Sequence, residues 1–134
     1  YQPKSNYVDM VRIKRSARTK LRKYNDAIYF GEIFNDKRHG MGIIYYTNGD
    51  KYNGEWADGD KNGRGVYEFA NGDLYEGYWA NGKRNGRGVY IWMDGCKYNG
   101  DWKDDMMNGR GTFTFEDGTT IEGEFRDDKL VRQL

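Results

Sequence analysis

An all-β fold, an elongated and twisted antiparallel meander of stacked β-hairpins, follows from three features of this sequence. A pattern of 23 residues recurs from Tyr29 onward without an insertion, glycines and aromatics fall at fixed offsets inside it, and the residues between them alternate with a period of two. Units that tolerate no insertion must match their neighbours in space, as a stacked array does. With 134 residues the chain is one domain by size.

Composition shows what such a fold has to build a core from. Val, Ile, Leu and Phe together number 22, about 16% of the chain, a fraction that would ordinarily suggest disorder. Aromatics make up 16% and the net charge is only +1, so the apolar area has moved into Tyr, Trp and Phe. Cys96 is the single cysteine and cannot form an internal disulfide. No apolar run approaches the roughly 20 residues of a membrane-spanning helix and no signal-peptide pattern opens the chain, so a soluble, cytoplasmic protein is expected. Residue 1 is Tyr, which points to a piece of a longer protein.

The first element, residues 1–28, carries Lys4, Arg12, Lys14, Arg15, Arg18, Lys20, Arg22 and Lys23 against Asp9 and Asp26, a local net of +6, while residues 29–134 are net −5. Asn6 followed by Asp9 reads as a helix N-cap. Met10, Ile13, Ala17, Leu21, Tyr24 and Ile28 recur at three- and four-residue steps, so a basic amphipathic helix is expected over this segment. Three roles for it stay open: docking its stripe on the sheet, lying on an anionic membrane, or serving as a free arm or a target for another protein.

The second element, residues 29–134, consists of repeats opening at Tyr29, Tyr52, Tyr75 and Tyr98, with a partial copy at Ile121. Counting the opening residue as zero, glycines recur at positions two, eleven, thirteen and twenty. Tyr52, Gly54 and Trp56 alternate with Asn53 and Glu55, and Gly65, Tyr67 and Phe69 alternate with Val66 and Glu68, so each copy reads as two strands. Helix is disfavoured by the glycine density. Asn48-Gly49, Asn71-Gly72, Asp94-Gly95 and Asp117-Gly118 supply tight turns from one copy to the next. Nine or ten strands result, in a sheet not expected to close into a barrel, whose end strands invite end-to-end self-association. Aromatics at positions zero, four, fifteen and seventeen fall on one face, with Gly at two and thirteen leaving room for rings to lie over the backbone.

The stretch Tyr75 to Tyr90, Tyr-Glu-Gly-Tyr-Trp-Ala-Asn-Gly-Lys-Arg-Asn-Gly-Arg-Gly-Val-Tyr, resembles the MORN repeat (membrane occupation and recognition nexus), and its register holds from Tyr29 to the end. Ile33 replaces Trp in the first copy, Met106 and Met107 replace the polar tip in the fourth, and Ile121 replaces Tyr in the fifth. The resemblance implies an elongated sheet with a groove, used for interaction at junctional membranes, ciliary spokes or cytoskeletal scaffolds, or beside lipid-kinase or methyltransferase domains.

No catalytic site, metal or cofactor is expected. The only serines are Ser5 and Ser16 and the only histidine is His39, so a nucleophilic site would have to join Cys96 to His39 across more than two repeats. Asp58, Asp60, Asn62 and Gly63 imitate the start of a calcium loop, but Phe69 stands where the bidentate Glu is required. Gly63-Arg64-Gly65 is one of four Gly-x-Gly copies set by the repeat and is no phosphate loop. The expected function is a non-enzymatic scaffold holding a partner protein segment, in helical form, in an aromatic groove of Tyr52, Trp56, Tyr67, Phe69, Tyr75, Trp79, Tyr90, Trp92, Tyr98 and Trp102. The alternatives are a phosphoinositide-binding module using Arg12, Lys14, Arg15, Arg18, Lys20, Arg22, Lys23, Arg64, Arg87 and Arg110, or the regulatory module of a larger enzyme such as a lipid kinase. Arg64, Arg87 and Arg110, beside Lys61 and Arg84, read as a basic ladder along the hairpin tips, balanced by an acidic one of Glu32, Glu55, Asp101 and Glu124. Nucleic acid is not expected, since no reading motif accompanies the basic segment. A cytoskeleton- or membrane-associated setting is expected.

Overall fold

The computed structural model describes residues 17–134. They form a single antiparallel sheet of 11 strands in strict sequence order, each strand bonded to the next. After β1 (Thr19–Lys23), every repeat supplies two strands. These are β2 (Ala27–Phe34) and β3 (Lys37–Tyr46), β4 (Lys51–Ala57) and β5 (Asp60–Glu68), and β6 (Leu74–Ala80) and β7 (Lys83–Ile91). The last two copies give β8 (Lys97–Lys103) and β9 (Met106–Thr114), then β10 (Thr120–Arg126) and β11 (Lys129–Gln133).

The helix expected over residues 1–28 does not form in its described part. Thr19–Lys23 is extended and pairs with β2, from Thr19 opposite Glu32 to Lys23 opposite Ile28. The physical reason is the edge that β2 would otherwise present: its amides and carbonyls need partners, and a strand returning through Asn25 and Asp26 supplies them. Leu21, Tyr24 and Ile28 stand exposed, so these members of the stripe add nothing to the buried core. Residues 1–16, with Met10, Ile13, Arg12, Lys14 and Arg15, lie outside the described residues. The added strand raises the number from nine or ten to 11.

Two kinds of turn alternate. Inside a repeat, both turn residues have positive φ, as in Asp58 (49°) with Gly59 (90°) and Asn81 (52°) with Gly82 (81°), the pattern of the type I′ hairpin. Between repeats the turn is longer than the two-residue form that Asn48-Gly49 suggested. The Gly49 amide donates to Tyr46 O at 3.0 Å and the Tyr46 amide to Asp50 O at 2.9 Å, with only the glycine left-handed (φ 98°). This is the three-residue loop closed by a glycine bulge.

Each repeat also carries an internal irregularity. In the β4–β5 pair the register runs from Gly54 opposite Gly65 to Trp56 opposite Lys61, so extra residues of β5 bulge out around Gly63, whose φ is +90°. The same shift recurs at Gly31/Ile33, Gly77/Trp79 and Gly100/Trp102.

The glycine column at position thirteen serves a different purpose. A Cβ on Gly65 would fall inside the Tyr52 ring, and one on Gly88 inside the Tyr75 ring. The tyrosine therefore lies flat on the backbone of the neighbouring strand, which requires a residue without a side chain beneath it. Gly88→Ala is accordingly expected to destabilise by about 2–3 kcal/mol through overpacking, against about 1 kcal/mol for Gly82→Ala, where the backbone is left-handed but the space is open. Urea unfolding of the two variants checks the order.

Candidate functional site

The opening tyrosine is fixed at both ends of its ring. Tyr29, Tyr52, Tyr75 and Tyr98 are fully buried, and each hydroxyl donates to the carbonyl three residues on: Glu32, Glu55, Tyr78 and Asp101, at 2.8, 2.8, 2.9 and 3.0 Å. Between consecutive tyrosines stands the tryptophan at position four. Trp56 meets Tyr52 (5.1 Å between centroids, 88° between planes) and Tyr29 of the preceding copy (5.5 Å, 88°). Trp79 and Trp102 repeat the arrangement, and Phe125 closes it on Tyr98 at 4.9 Å. Each indole also donates to a glycine carbonyl of the copy before, Trp56 to Gly42 (3.0 Å), Trp79 to Gly65 (3.3 Å) and Trp102 to Gly88 (3.1 Å). The result is one continuous edge-to-face chain on one face of a single sheet.

A second row of rings runs beside the first. Tyr46, Tyr67, Phe69, Tyr90, Trp92, Phe113 and Phe115 touch in succession, with centroids between 4.6 and 6.1 Å apart. Except for Tyr90, these rings are only part-buried or exposed. Asp50 accepts from the Tyr67 hydroxyl (2.6 Å) and the Ala70 amide (2.6 Å), and Asp73 accepts from Tyr90 (2.6 Å) and the Met93 amide (2.8 Å). Where Cys96 takes the place of the aspartate, Phe113 takes that of the tyrosine, so the carboxylate appears only where a hydroxyl needs it.

A column that the sequence reading misplaced lies over the rings at position nine. Arg38 stands over Trp56 (4.8 Å), Lys61 over Trp79 (5.4 Å) and Arg84 over Trp102 (4.8 Å). In the fourth copy Met107 packs against the core that contains Phe125. Lys61 and Arg84 are therefore on the aromatic face and form no ladder with Arg64, Arg87 and Arg110. Strand alternation places those three on the opposite face, beside the acidic column. There the Glu55 carboxylate accepts the Arg64 amide (2.6 Å) and Asp101 accepts the Arg110 amide (3.2 Å), with the Arg87 guanidinium 3.3 Å away. Glu32, Glu55 and Asp101 at position three thus cap the bulges, while Glu124 accepts from Arg132.

The ten expected groove residues divide by exposure. Tyr52, Trp56, Tyr75, Trp79, Tyr90, Tyr98 and Trp102 are buried, while Tyr67, Phe69 and Trp92 are half-buried. The basic residues expected at lipid also part company. Lys20 and Arg22 sit opposite Gly31 and Tyr29 on the aromatic face, Lys23 opposite Ile28 on the other, and the Arg18 guanidinium lies 4.5 Å over Phe34. Two open depressions mark the aromatic face. One of about 190 Å³ is lined by Lys61, Tyr67, Phe69, Trp79, Arg84 and Asp105. The other, of about 390 Å³, includes Tyr24, Arg38, Ile44 and Tyr46.

His39 accepts a long hydrogen bond from the Asp58 amide (3.4 Å) and lies against Phe34. Asp58 is a turn residue and Asp60 and Asn62 are on an extended strand, so the calcium-like segment does not wrap around a point. Among the described residues no group of three or more His, Cys, Asp or Glu side chains could hold a metal ion.

Burial raises the hydroxyl pKa of Tyr29, Tyr52, Tyr67, Tyr75 and Tyr90 far above the usual tyrosine range and that of Tyr98 to about 12. The hydrogen bonds to Asp50 and Asp73 add to this at Tyr67 and Tyr90. The folded chain thus keeps these protons to a higher pH than the unfolded chain, whose tyrosines ionise near pH 10. Their contribution to stability is full below about pH 10 and is lost as pH rises above it. In an alkaline titration, the share of tyrosinate absorbance that these six contribute should therefore appear together with the loss of near-UV circular dichroism.

The family model of the MORN repeat matches four consecutive stretches, residues 29–51, 52–74, 75–97 and 98–120. These coincide with the four full copies defined by Tyr29, Tyr52, Tyr75 and Tyr98. No curated protein matches the chain.

Proposed function

The chain belongs to the MORN repeat family, whose repeats serve as protein- and membrane-interaction scaffolds, and on that premise we propose that this one holds a partner protein segment along its aromatic face. The observation that carries the reading is the second ring row. Phe69, Trp92 and their neighbours lie on a one-layer sheet with no second layer of described residues over them, and part-buried aromatic rows of this kind are what protein segments dock against. The fully buried rings at positions zero and four hold the sheet, and the half-exposed ones at fifteen and seventeen make the contacts. The chain acts as a non-enzymatic scaffold at a cytoskeletal, ciliary or membrane-associated structure.

The lipid reading has less to stand on. Among the described residues its basic side chains are distributed over both faces, and Arg87 is engaged by Asp101. Phe69→Ser combined with Trp92→Ser removes exposed ring area while leaving the Tyr–Trp chain intact. Against a phage-displayed library of random peptides, the native chain should enrich binders whose affinity falls at least about tenfold on this double variant, with its thermal unfolding still cooperative. Enriched peptides indifferent to the variant, or no enrichment at all, would overturn the proposal, and co-sedimentation on phosphoinositide vesicles at physiological salt would then favour lipid.

A further inference from the structure

Three cations stand at position nine along the aromatic face, and their surroundings differ in one respect. Arg38 donates to Gly59 O at 2.8 Å. Arg84 is held by the Asp105 carboxylate at 3.1 Å and the Asp105 carbonyl at 2.9 Å. Lys61, between them in sequence, has four rings around its ammonium, Tyr46, Tyr52, Tyr67 and Trp79 at 5.4 to 6.0 Å, and no carboxylate within ion-pair distance among the described residues. Position seven of the following copy gives Arg84 its Asp105 but is a glycine for the other two, Gly59 for Arg38 and Gly82 for Lys61. Arg38 reaches the Gly59 carbonyl, whereas the Lys61 ammonium makes no such bond to Gly82.

The neighbouring acids do not fill the gap. Asp50 is taken by Tyr67 and the Ala70 amide, Asp73 by Tyr90 and the Met93 amide, and Asp105 by Arg84. Asp60 is exposed beside the turn. Burial, and then the nearby Arg38, lower the Lys61 pKa, and Asp105 and Asp60 offset this only in part. Space is available in the same place, because the depression of about 190 Å³ is lined by Lys61, Arg84, Tyr67, Phe69, Trp79 and Asp105, so two cations face a single carboxylate that Arg84 already holds.

We propose that this depression is a carboxylate receptor: the partner segment is acidic, with one Asp or Glu side chain seated between Lys61 and Arg84 and apolar neighbours lying on Tyr67, Phe69 and Trp92. This rests on the reading of the aromatic face as a protein-binding surface and specifies the chemistry it selects. Rings already surround the ammonium, so a partner cation would meet repulsion here. An anion gains a charge-assisted hydrogen bond to a desolvated lysine.

The test uses the full chain and the same random-peptide display, with Lys61→Met as the variant because Met107 occupies this position natively in the fourth copy. Enriched peptides should share an Asp or Glu within a turn or so of Phe, Trp, Leu or Ile. For the best binder, changing that Glu to Gln should weaken binding to the native chain about tenfold and to the Lys61→Met chain less than about twofold, while Arg64→Gln on the opposite face changes nothing. Binders that map to Phe69 and Trp92 but carry no acidic residue, or lose equally to both chains, sink the carboxylate receptor and leave the protein-binding face standing. Absence of any enrichment sinks both. Sedimentation of the native chain, but not of Lys61→Met, on phosphatidylserine vesicles would overturn the proposal in favour of lipid.

Discussion

A tyrosine ring lying flat on glycine backbone is the contact on which the rest of this molecule depends. A one-layer sheet has no opposing layer to bury its apolar side chains, and 22 branched aliphatic and Phe residues could not supply one. Tyr52 solves this inside the layer. Its ring covers Gly65, its hydroxyl ties to Glu55 O at 2.8 Å, and its two edges receive Trp56 and Trp79. Each edge-to-face pair adds about 0.5–1.5 kcal/mol beyond the area it buries. Because Trp79 belongs to the next copy, the core and the inter-repeat interface are one structure.

The same dependence explains why the 23-residue spacing admits no insertion. An added residue would move one ring off its glycine and also pull its tryptophan away from the preceding tyrosine. Substitutions are correspondingly paired. Aspartate at position twenty-one accompanies tyrosine in the next copy, as Asp50 with Tyr67 and Asp73 with Tyr90, whereas Cys96 accompanies Phe113. A cation at position nine accompanies tryptophan, whereas Met107 accompanies Phe125. Tryptophan has the ring face that best attracts a cation, and phenylalanine offers less, so the exchange follows the chemistry. Position three carries a carboxylate in the three copies whose bulge amide it caps, and Tyr78 stands there in the third copy without such a cap.

Most of the fold was legible because the repeat makes every position report several times. The strand pairs, the aromatic face and the role of glycine at thirteen could all be read from offsets. The strand Thr19–Lys23 could not, since it precedes the repeat and its local spacing favours a helix, and only the unsatisfied edge of β2 decides its state. The position-nine cations were legible in part. Lys61 and Arg64 are three apart, so alternation already separates them onto two faces, but three of the four rings around Lys61 come from β3, β4 and β6, which no local pattern brings together. The turns inside the repeats were misplaced: the tips were read near Asn62 and Arg64, which lie on β5, whereas the chain reverses at Asp58-Gly59 and Asn81-Gly82, whose glycines fall outside the four glycine columns.

A double-mutant cycle between Tyr52 and Trp79, each changed to Leu, tests the central claim most directly because the two rings belong to different copies. The account predicts a coupling of about 1 kcal/mol in urea unfolding, and none for the distant pair Tyr29 and Trp102. Equal coupling for the two pairs, or none for Tyr52 and Trp79, would contradict a core made of rings shared between neighbouring repeats.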